Sequence, residues 1–444
     1  MALSGLDIYK LLPKTNCKDC GFATCLAFAM ALAQKKVSLD KCPHITANAR
    51  EALESAAQPP IKLVTIGTGS HKIEIGNETV MYRHEQKFYH PSAIGFLVED
   101  AFSDADIGKA ISDIKKLEFE RVGQVISANL ICIRNSSKNK EKFISAVKKV
   151  AASTDLCIAL DSSDPAAMAE AAKAVKGRRP LIISPDAKSA PEFAKIAKEN
   201  NAPLAVTCTS LDEVAQMTDA VKKAGIEEVV INLNEKSPSR KIQGFTYARR
   251  AALKKNFRAL GYPVLAFTQQ ADPSLELAEA ISYILKYAGI VIMKGRDKDF
   301  VFPLLVARQD VYQDPQKPVQ VEPKIYEIGK VTKDSPVAVT TNFSITYFTV
   351  AGEVESSKVP TYVICCDSEG MSVLTAWAAE KFTAERIADT LKKSGIEGLV
   401  SHKKVIIPGY VSVLSGKLEE VSGWKVNVGP REASGIPNYL RNWK

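Results

Sequence analysis

Between Ile94 and Met293 the chain alternates short apolar runs with helical stretches eight times, and this alternation restricts the fold more than any other feature. The apolar runs are Ile94–Val98, Val125–Ile133, Leu156–Leu160, Leu181–Ser184, Leu204–Thr207, Val229–Leu233, Val264–Phe267 and Ile290–Met293. Helical patterns such as Asp106–Leu117, Lys140–Val150, Pro165–Val175 and Leu211–Lys223 lie between them. Alternating buried strands and helices imply a parallel sheet, and eight such units close into a (β/α)8 TIM barrel. Just ahead, Lys72–Ile75 and Thr79–Tyr82 alternate around Gly76-Asn77-Glu78, which reads as a hairpin placed to plug the barrel's lower end.

After Tyr312 the stretch Gln313-Asp314-Pro315-Gln316-Lys317-Pro318, with Pro323 beyond it, reads as a linker. A second α/β pattern follows, with strands at Val337–Val339, Tyr362–Cys365, Val405–Ile407 and Val426–Val428. Helices at Ser344–Val354, Ser372–Lys381, Ala384–Lys393 and Val413–Val421 separate them, giving an open, doubly wound (Rossmann-like) sheet. Ligands of such sheets lie beyond the carboxyl ends of the strands. Those ends here are Thr340-Thr341-Asn342, Asp367–Ser372, Pro408-Gly409-Tyr410 and Gly429–Gly435. They are small and polar, so backbone N–H and C=O groups stand exposed to a broad, amide-bearing ligand. Any one of these loops alone reads as an ordinary turn; four aligned on one edge weaken that reading. No Walker A sequence is present, and Gly67-Thr68-Gly69 lacks the third glycine of a dinucleotide fingerprint. The expected division is 1–58, a small helical cluster-binding domain; 59–312, the barrel with its hairpin; 313–324, the linker; and 325–444, the second α/β domain.

Four of the nine cysteines fall between Cys17 and Cys42, spaced Cys-x2-Cys-x4-Cys-x16-Cys. Cys17 and Cys20 bracket a turn that Gly21 allows to wrap closely. Cys25 opens a helix, whose N–H groups and dipole favour an anionic thiolate cluster. Cys42 returns from beyond that helix, followed by Pro43 as in ferredoxin-type runs. The spacing points to one [4Fe–4S] cluster held by Cys17, Cys20, Cys25 and Cys42. A four-cysteine zinc site is the alternative, although zinc favours two close pairs and Cys42 has no near mate. Phe22, Leu26 and Phe28 would supply an apolar shell. Thr46–Ala57 reads as a further helix, ended by Pro59-Pro60. Cys132, Cys157, Cys208, Cys365 and Cys366 sit in apolar runs and read as buried thiols.

The net charge of +9 is dispersed: residues 325–444 carry 14 Lys and Arg against 13 Asp and Glu. No basic groove forms from such a pattern, so nucleic acid is not an expected partner. No apolar run reaches the roughly 20 residues of a membrane helix. Met1–Leu12 lacks a signal-peptide pattern, and the expected location is the cytoplasm.

Along its whole length the chain resembles the large (gamma) subunit of the corrinoid iron–sulfur protein of the acetyl-CoA (Wood–Ljungdahl) pathway. The resemblance rests on Leu6–Pro13, the block Cys17-Lys18-Asp19-Cys20-Gly21-Phe22-Ala23-Thr24-Cys25 with its x2-x4-x16 spacing, the barrel, and Gly429-Pro430-Arg431-Glu432-Ala433. It implies a cobamide in the C-terminal domain, at Thr340, Thr346, Gly370, Met371, Ser372, Val373, Pro408, Gly409, Gly429 and Ala433. It implies a heterodimer with a small (delta) subunit, a methyl group received on Co(I) from methyltetrahydrofolate through a methyltransferase, and delivery to acetyl-CoA synthase/CO dehydrogenase. The cluster's implied task is to reduce Co(II) back to Co(I). Many corrinoid domains present an Asp-x-His-x-x-Gly sequence whose His ligates cobalt; none of the five histidines here fits it. The resemblance therefore implies a base-off cofactor with no protein His ligand, which makes cobalt easier to reduce. The rival reading is a pterin-dependent methyltransferase built on the barrel top, where Glu99, Asp100, Asn135, Asp161, Asp186, Asn232, Asn234 and Gln269 gather.

Overall fold

The computed structural model describes residues 5–34, 36–46, 49, 50, 53 and 59–443. The helix expected over Thr46–Ala57 falls mostly outside them. The chain forms two compact units. One holds residues up to Glu118 together with Ser127–Tyr312, the other Phe119–Ile126 together with Gln313–Lys444. No described helix is long and apolar enough to cross a membrane.

The first unit opens with helices at Gly5–Leu11 and Cys25–Ala33. A two-stranded sheet follows, β1 (Val64–Ile66) antiparallel to β2 (Ile73–Ile75). Then come β3 (Ala93–Glu99), the excursion of β4 (Glu118–Arg121) and β5 (Gln124–Ser127), and β6 (Leu130–Arg134). The series continues with β7 (Cys157–Asp161), β8 (Leu181–Ile183), β9 (Leu204–Cys208), β10 (Val229–Leu233), β11 (Val264–Phe267) and β12 (Ala288–Met293). β3 and β6–β12 close an eight-stranded parallel barrel. β9 and β10 are buried at every position, because helices cover the outside while side chains fill the interior.

The interior layer includes Ala93, Leu97, Leu130, Ala159, Ile183 and Ile292, together with Val64, Ile66, Ile73 and Ile75 from the small sheet. Gly67 N donates to Arg179 O and Lys62 N to Gly261 O, both at 2.9 Å. Those acceptors lie just before β8 and β11, so the small sheet closes the N-terminal end of the barrel. Its pairing differs from the hairpin expected around Gly76. At Gly76 and Asn77 the backbone turns left-handed, and a side chain on Gly76 would overlap the Lys62 carbonyl. The next residues are then fixed by side chains: Val80 O accepts from Arg249, and Glu78 Oε1 accepts Tyr89 N at 3.0 Å. Thr79–Tyr82 is therefore not a strand. Ile75→Ala, which empties part of the plug, is expected to cost about 2–5 kcal/mol in urea unfolding; a loss under about 1 kcal/mol would mean the plug is not part of the barrel core.

The apolar run Val125–Ile133 is two strands, not one. Ala128 and Asn129 divide it, with Asn129 Oδ1 accepting Ile94 N at 2.9 Å. β4 and β5 pair as a ribbon through the turn Val122-Gly123, both at positive φ (56° and 68°), the geometry of a tight hairpin turn. Val122 packs into a cluster of the second unit that includes Tyr326, Tyr347 and Val363.

The second unit contains β13 (Ile325–Ile328), β14 (Val337–Thr341), β15 (Thr361–Cys366), β16 (Lys404–Ile407) and β17 (Lys425–Val428). The strand order is β13-β15-β14-β16-β17, all parallel except β13. Since β15 lies on one side of β14 and β16 on the other, the order reverses between β14 and β16. That reversal is where ligands bind in such sheets. The linker's second half is tied to this unit: Val321 N donates to Asn342 O (2.9 Å) and Ser344 N to Val319 O (3.0 Å).

Candidate cofactor sites

At the cysteine loop, residues Lys14, Asn16, Lys18 and Gly21 all adopt left-handed backbone (φ 60°, 50°, 67° and 81°). Three non-glycine residues in that region within so short a span are costly and need a reason. Such turns aim successive N–H groups inward and form anion-binding concavities. Asn16 ties the loop to the helix start, its Oδ1 accepting Cys25 N at 2.8 Å and its N–H facing Cys25 Sγ at 3.4 Å. Thr24 caps that helix by accepting Ala27 N at 3.1 Å. Cys25 and Cys42 are buried in a small core with Ile8, Leu12 and Phe28, Cys20 packs at its edge, and Cys17 is exposed. Phe22 and Phe28 meet at a tilt, ring centres 5.6 Å apart, but Leu26 points to solvent at 39% exposure and is not part of the shell.

Among the described residues, the ligand-type atoms found within 4.8 Å of one another in a group of three belong to Cys17, Asp19 and His44. His44 Nε2 meets Asp19 Oδ2 at 2.5 Å, and hydrogen bonds from His44 and Cys17 hold the Asp19 carboxyl below the usual carboxylate range. A tetrahedral zinc would hold sulfurs roughly 3.8 Å apart, given Zn–S of about 2.3 Å. No three of the four thiols lie within 4.8 Å of one another, so they are not gathered at that spacing here. The other five cysteines are buried, and burial pushes the Cys157 thiol up to about 11 and Cys208 and Cys366 up to about 12. They are packing residues, protonated at neutral pH.

At the reversal between β14 and β16 lies a cavity of about 150 Å³. Thr340, Thr346, Val373, Pro408, Gly429 and Ala433 line it, as do Tyr410, Arg431 and Tyr439. The resemblance implied the first six, and the strand-end pattern by itself reached Thr340, Pro408, Gly429 and Ala433 among them. Tyr439 belongs to a helix, Ile436–Arg441, that it did not reveal. Thr340 is 2% exposed, and its hydroxyl has no hydrogen-bond partner. An orphaned buried hydroxyl costs about 1–3 kcal/mol, a cost that a polar group of a bound ligand would relieve. Gly409 seats the β16 end against the β17 end, its N–H donating to Pro430 O at 3.1 Å. A β-carbon on it would stand 2.6 Å from Gly429 O and 2.8 Å from Arg431 N.

Gly370, Met371 and Ser372 do not line the cavity; they form the loop beside it. Asn342 shapes that loop, its Oδ1 accepting Ser368 N (2.9 Å), Ser368 Oγ (2.8 Å) and Gly370 N (3.1 Å). Gly370 is at φ +74°, with Pro318 O 3.0 Å from where a β-carbon would sit. His402 stands at the opposite end of the sheet, Nδ1 accepting Lys404 N (3.2 Å) and Nε2 bonded to Ser335 O (3.0 Å). It does not face the cavity.

The polar groups at the barrel top are largely spoken for. Asp100 accepts from Ser136 and Ser137, Asp186 from Ser189, and Asp161 from Arg134. Asn135 donates to Ser162, Asn232 to Thr207, and Gln269 to Glu235 O. Asn234 engages through its backbone, to Cys208 O. Glu99 is half-buried at the end of β3. Most of these side chains brace loops, while Asn135 Oδ1 is buried without a hydrogen-bond partner.

Comparison with known proteins follows the same lines. The profile of the CO dehydrogenase/acetyl-CoA synthase delta subunit family matches residues 63–440, and an Fe-S cluster profile matches residues 12–44. The corrinoid/iron-sulfur protein large subunit of Moorella thermoacetica is 46% identical over 441 residues, 99% of either chain. The acetyl-CoA decarbonylase/synthase complex subunit gamma of Methanothermobacter thermautotrophicus is 33% identical over 453 residues, again 99% of each. A solved dihydropteroate synthase from Vibrio fischeri aligns with 51% of this chain and 95% of its own at 18% identity and a TM-score of 0.39, too distant to carry an argument. Matched along nearly its whole length, the chain belongs to the CO dehydrogenase/acetyl-CoA synthase delta subunit family, among the corrinoid/iron-sulfur large subunits and the gamma subunits of the decarbonylase/synthase complex.

Proposed function

We propose that this chain is a methyl carrier. It holds a corrinoid at the C-terminal sheet and a [4Fe–4S] cluster on Cys17, Cys20, Cys25 and Cys42, receives a methyl group through a methyltetrahydrofolate methyltransferase, and passes it to acetyl-CoA synthase. Bound corrinoid supplies a cobalt centre able to take and give up the methyl group, and the cluster supplies single electrons that restore oxidised cobalt.

The observation that carries this reading is the unpartnered Thr340 hydroxyl buried at the strand reversal. The cavity there is too small for a macrocycle and suits a narrow arm of one, with Thr340 and Thr346 meeting its polar atoms. Gly370–Val373, Pro408 and Gly409 offer an edge of backbone on which a flat ring can rest. At the cysteine loop the Asn16 N–H faces Cys25 Sγ at 3.4 Å, a contact that would stabilise a negatively charged cluster. Relatives named as subunits support a heterodimer with a small (delta) subunit. Ile345, Phe348 and Val413, exposed at 66%, 50% and 70% in the second unit, give a partner apolar surface to cover.

Iron, cobalt and zinc analysis of the purified heterodimer tests the reading: about four irons and about one cobalt are expected. One zinc in place of iron, or no cobalt, would overturn it. Thr340→Val probes the site itself. It removes an unsatisfied buried hydroxyl, so the cofactor-free chain gains up to about 1 kcal/mol while cobalt retention falls. A variant that loses stability and keeps its cobalt would remove the hydroxyl from the binding argument.

A further inference from the structure

The C-terminal mouth of the barrel holds a second cavity, about 250 Å³, separate from both proposed cofactor sites. Leu97, Ile292 and Met293 give it apolar surface, Phe267 adds an aromatic wall, and the charged residues lining it, Arg134 and Lys294, are both cations. The guanidinium of Arg134 lies 4.8 Å from the centre of the Phe267 ring, and its Nε donates to Asp161 Oδ2 at 2.7 Å. Held at one edge and against one face, that planar group keeps a fixed attitude. Asp161 and Glu99 both act on the Arg134 charge, and Lys294 together with Arg296, whose Nη1 donates to Leu97 O at 3.1 Å, leaves the mouth net positive.

The walls are fixed as well. Glu276, 4% exposed, accepts Lys294 N (2.9 Å), Gly295 N (3.0 Å) and Thr268 Oγ1 (2.6 Å). Glu279, 6% exposed, accepts Gln269 N (2.8 Å) and Gln270 N (3.2 Å). Buried carboxylates are tolerated only when hydrogen-bonded, and these two direct their bonds to the backbone of two loops. Here the loops they hold are the ones that follow β11 and β12 and wall the cavity.

We propose that this mouth is a binding site for a small, flat, anionic molecule: one or two aromatic rings bearing a carboxylate. The ring lies against Phe267, Leu97 and Ile292, and the carboxylate meets Arg134 and Lys294. The volume falls just under the roughly 300–1,000 Å³ of pockets for drug-sized ligands, which sets the limit of two rings.

Ligand-observed NMR on the intact heterodimer tests this with three probes: benzoate, benzamide and inorganic phosphate. Benzoate is expected to bind saturably in the low-millimolar range, as its few heavy atoms allow. Benzamide, which keeps the ring and lacks the charge, binds at least about fivefold more weakly, and phosphate does not compete. Lys294→Gln, an exposed change that leaves the fold intact, weakens benzoate by a similar factor, as does Phe267→Leu. Iron and cobalt contents stay unchanged in Lys294→Gln, so the outcome is independent of the carrier reading. Equal binding of benzoate and benzamide, competition by phosphate, or benzoate binding unchanged in both variants overturns the proposal.

Discussion

Cys20→Ala is expected to strip the chain of most of its iron and to stop reactivation of oxidised cobalt, while methyl transfer from chemically reduced cobalt continues. Cys20 sits at the edge of the small core, on a turn closed by Gly21 N and Lys18 O at 2.8 Å. Ile8, Leu12, Phe28 and Ala29 remain packed without it, so the loss is of a ligand and not of the segment. The division of labour follows from placement: the four cysteines all lie in the first unit, on the loop before its second helix, at the first residue of that helix and beyond its end, and no strand end of the C-terminal sheet contains a cluster ligand. Stopped-flow spectra of methyl transfer started with titanium(III)-reduced protein, beside assays that depend on an electron donor, separate the two steps. If transfer also fails with chemically reduced cobalt, the cluster loop has a part in bond making and the proposed division is wrong.

Gly409→Val is expected to lower cobalt content at least about tenfold. A β-carbon at this position stands 2.6 Å from one backbone oxygen and 2.8 Å from one backbone nitrogen, atoms that cannot swing aside as a side chain tip can. The ends of β16 and β17 must part, which moves Pro408 and Gly429 together and opens the cavity wall. Overpacking of this kind costs about 1–3 kcal/mol, a loss that a folded sheet survives, so circular dichroism should stay close to wild type. A second variant, Gly416→Ala, lies in open space on a nearby helix and serves as the control. Full cobalt in Gly409→Val would show that the ligand edge does not depend on that close approach.

The barrel was readable because its strands are buried on both faces and so stand out as unbroken apolar runs. The same rule failed at Val125–Ile133, where an exposed ribbon strand and a buried barrel strand abut with only Ala128 and Asn129 between them. Composition could not show that Asn129 would turn the chain by bonding Ile94. β1 was missed, and Thr79–Tyr82 taken for the partner of β2, because alternation records a two-faced strand but not which neighbour it meets. In the second unit the four parallel strands were legible. β13 is a short edge strand beside a proline-rich stretch, and Ile436–Arg441 carries Pro437 in its first turn, so both read as irregular chain. Strand-end logic reached Thr340, Pro408, Tyr410, Gly429, Arg431 and Ala433 of the cavity lining, while Thr346 and Val373 came from the resemblance. That logic placed Gly370, Met371 and Ser372 on the right edge but could not tell the cavity from the loop beside it. Arg134 and Lys294 escaped notice because a charge just past an apolar strand ordinarily means only that the strand has ended.

The ribbon β4–β5 makes the second unit discontinuous in the chain, and this has a consequence for the order in which the protein takes shape during synthesis. Tyr326, beside which Gly123 is seated, follows Val122 by 204 positions. At about 5–20 residues per second the ribbon emerges on the order of 10–40 s before the cluster that receives it. A lone two-stranded ribbon is marginal in water, so its turn, with Val122 in a left-handed backbone state that β-branched residues avoid, settles only when Tyr326, Tyr347 and Val363 exist to receive it. A fragment starting at Gln313 would lack this piece and expose the place it fills.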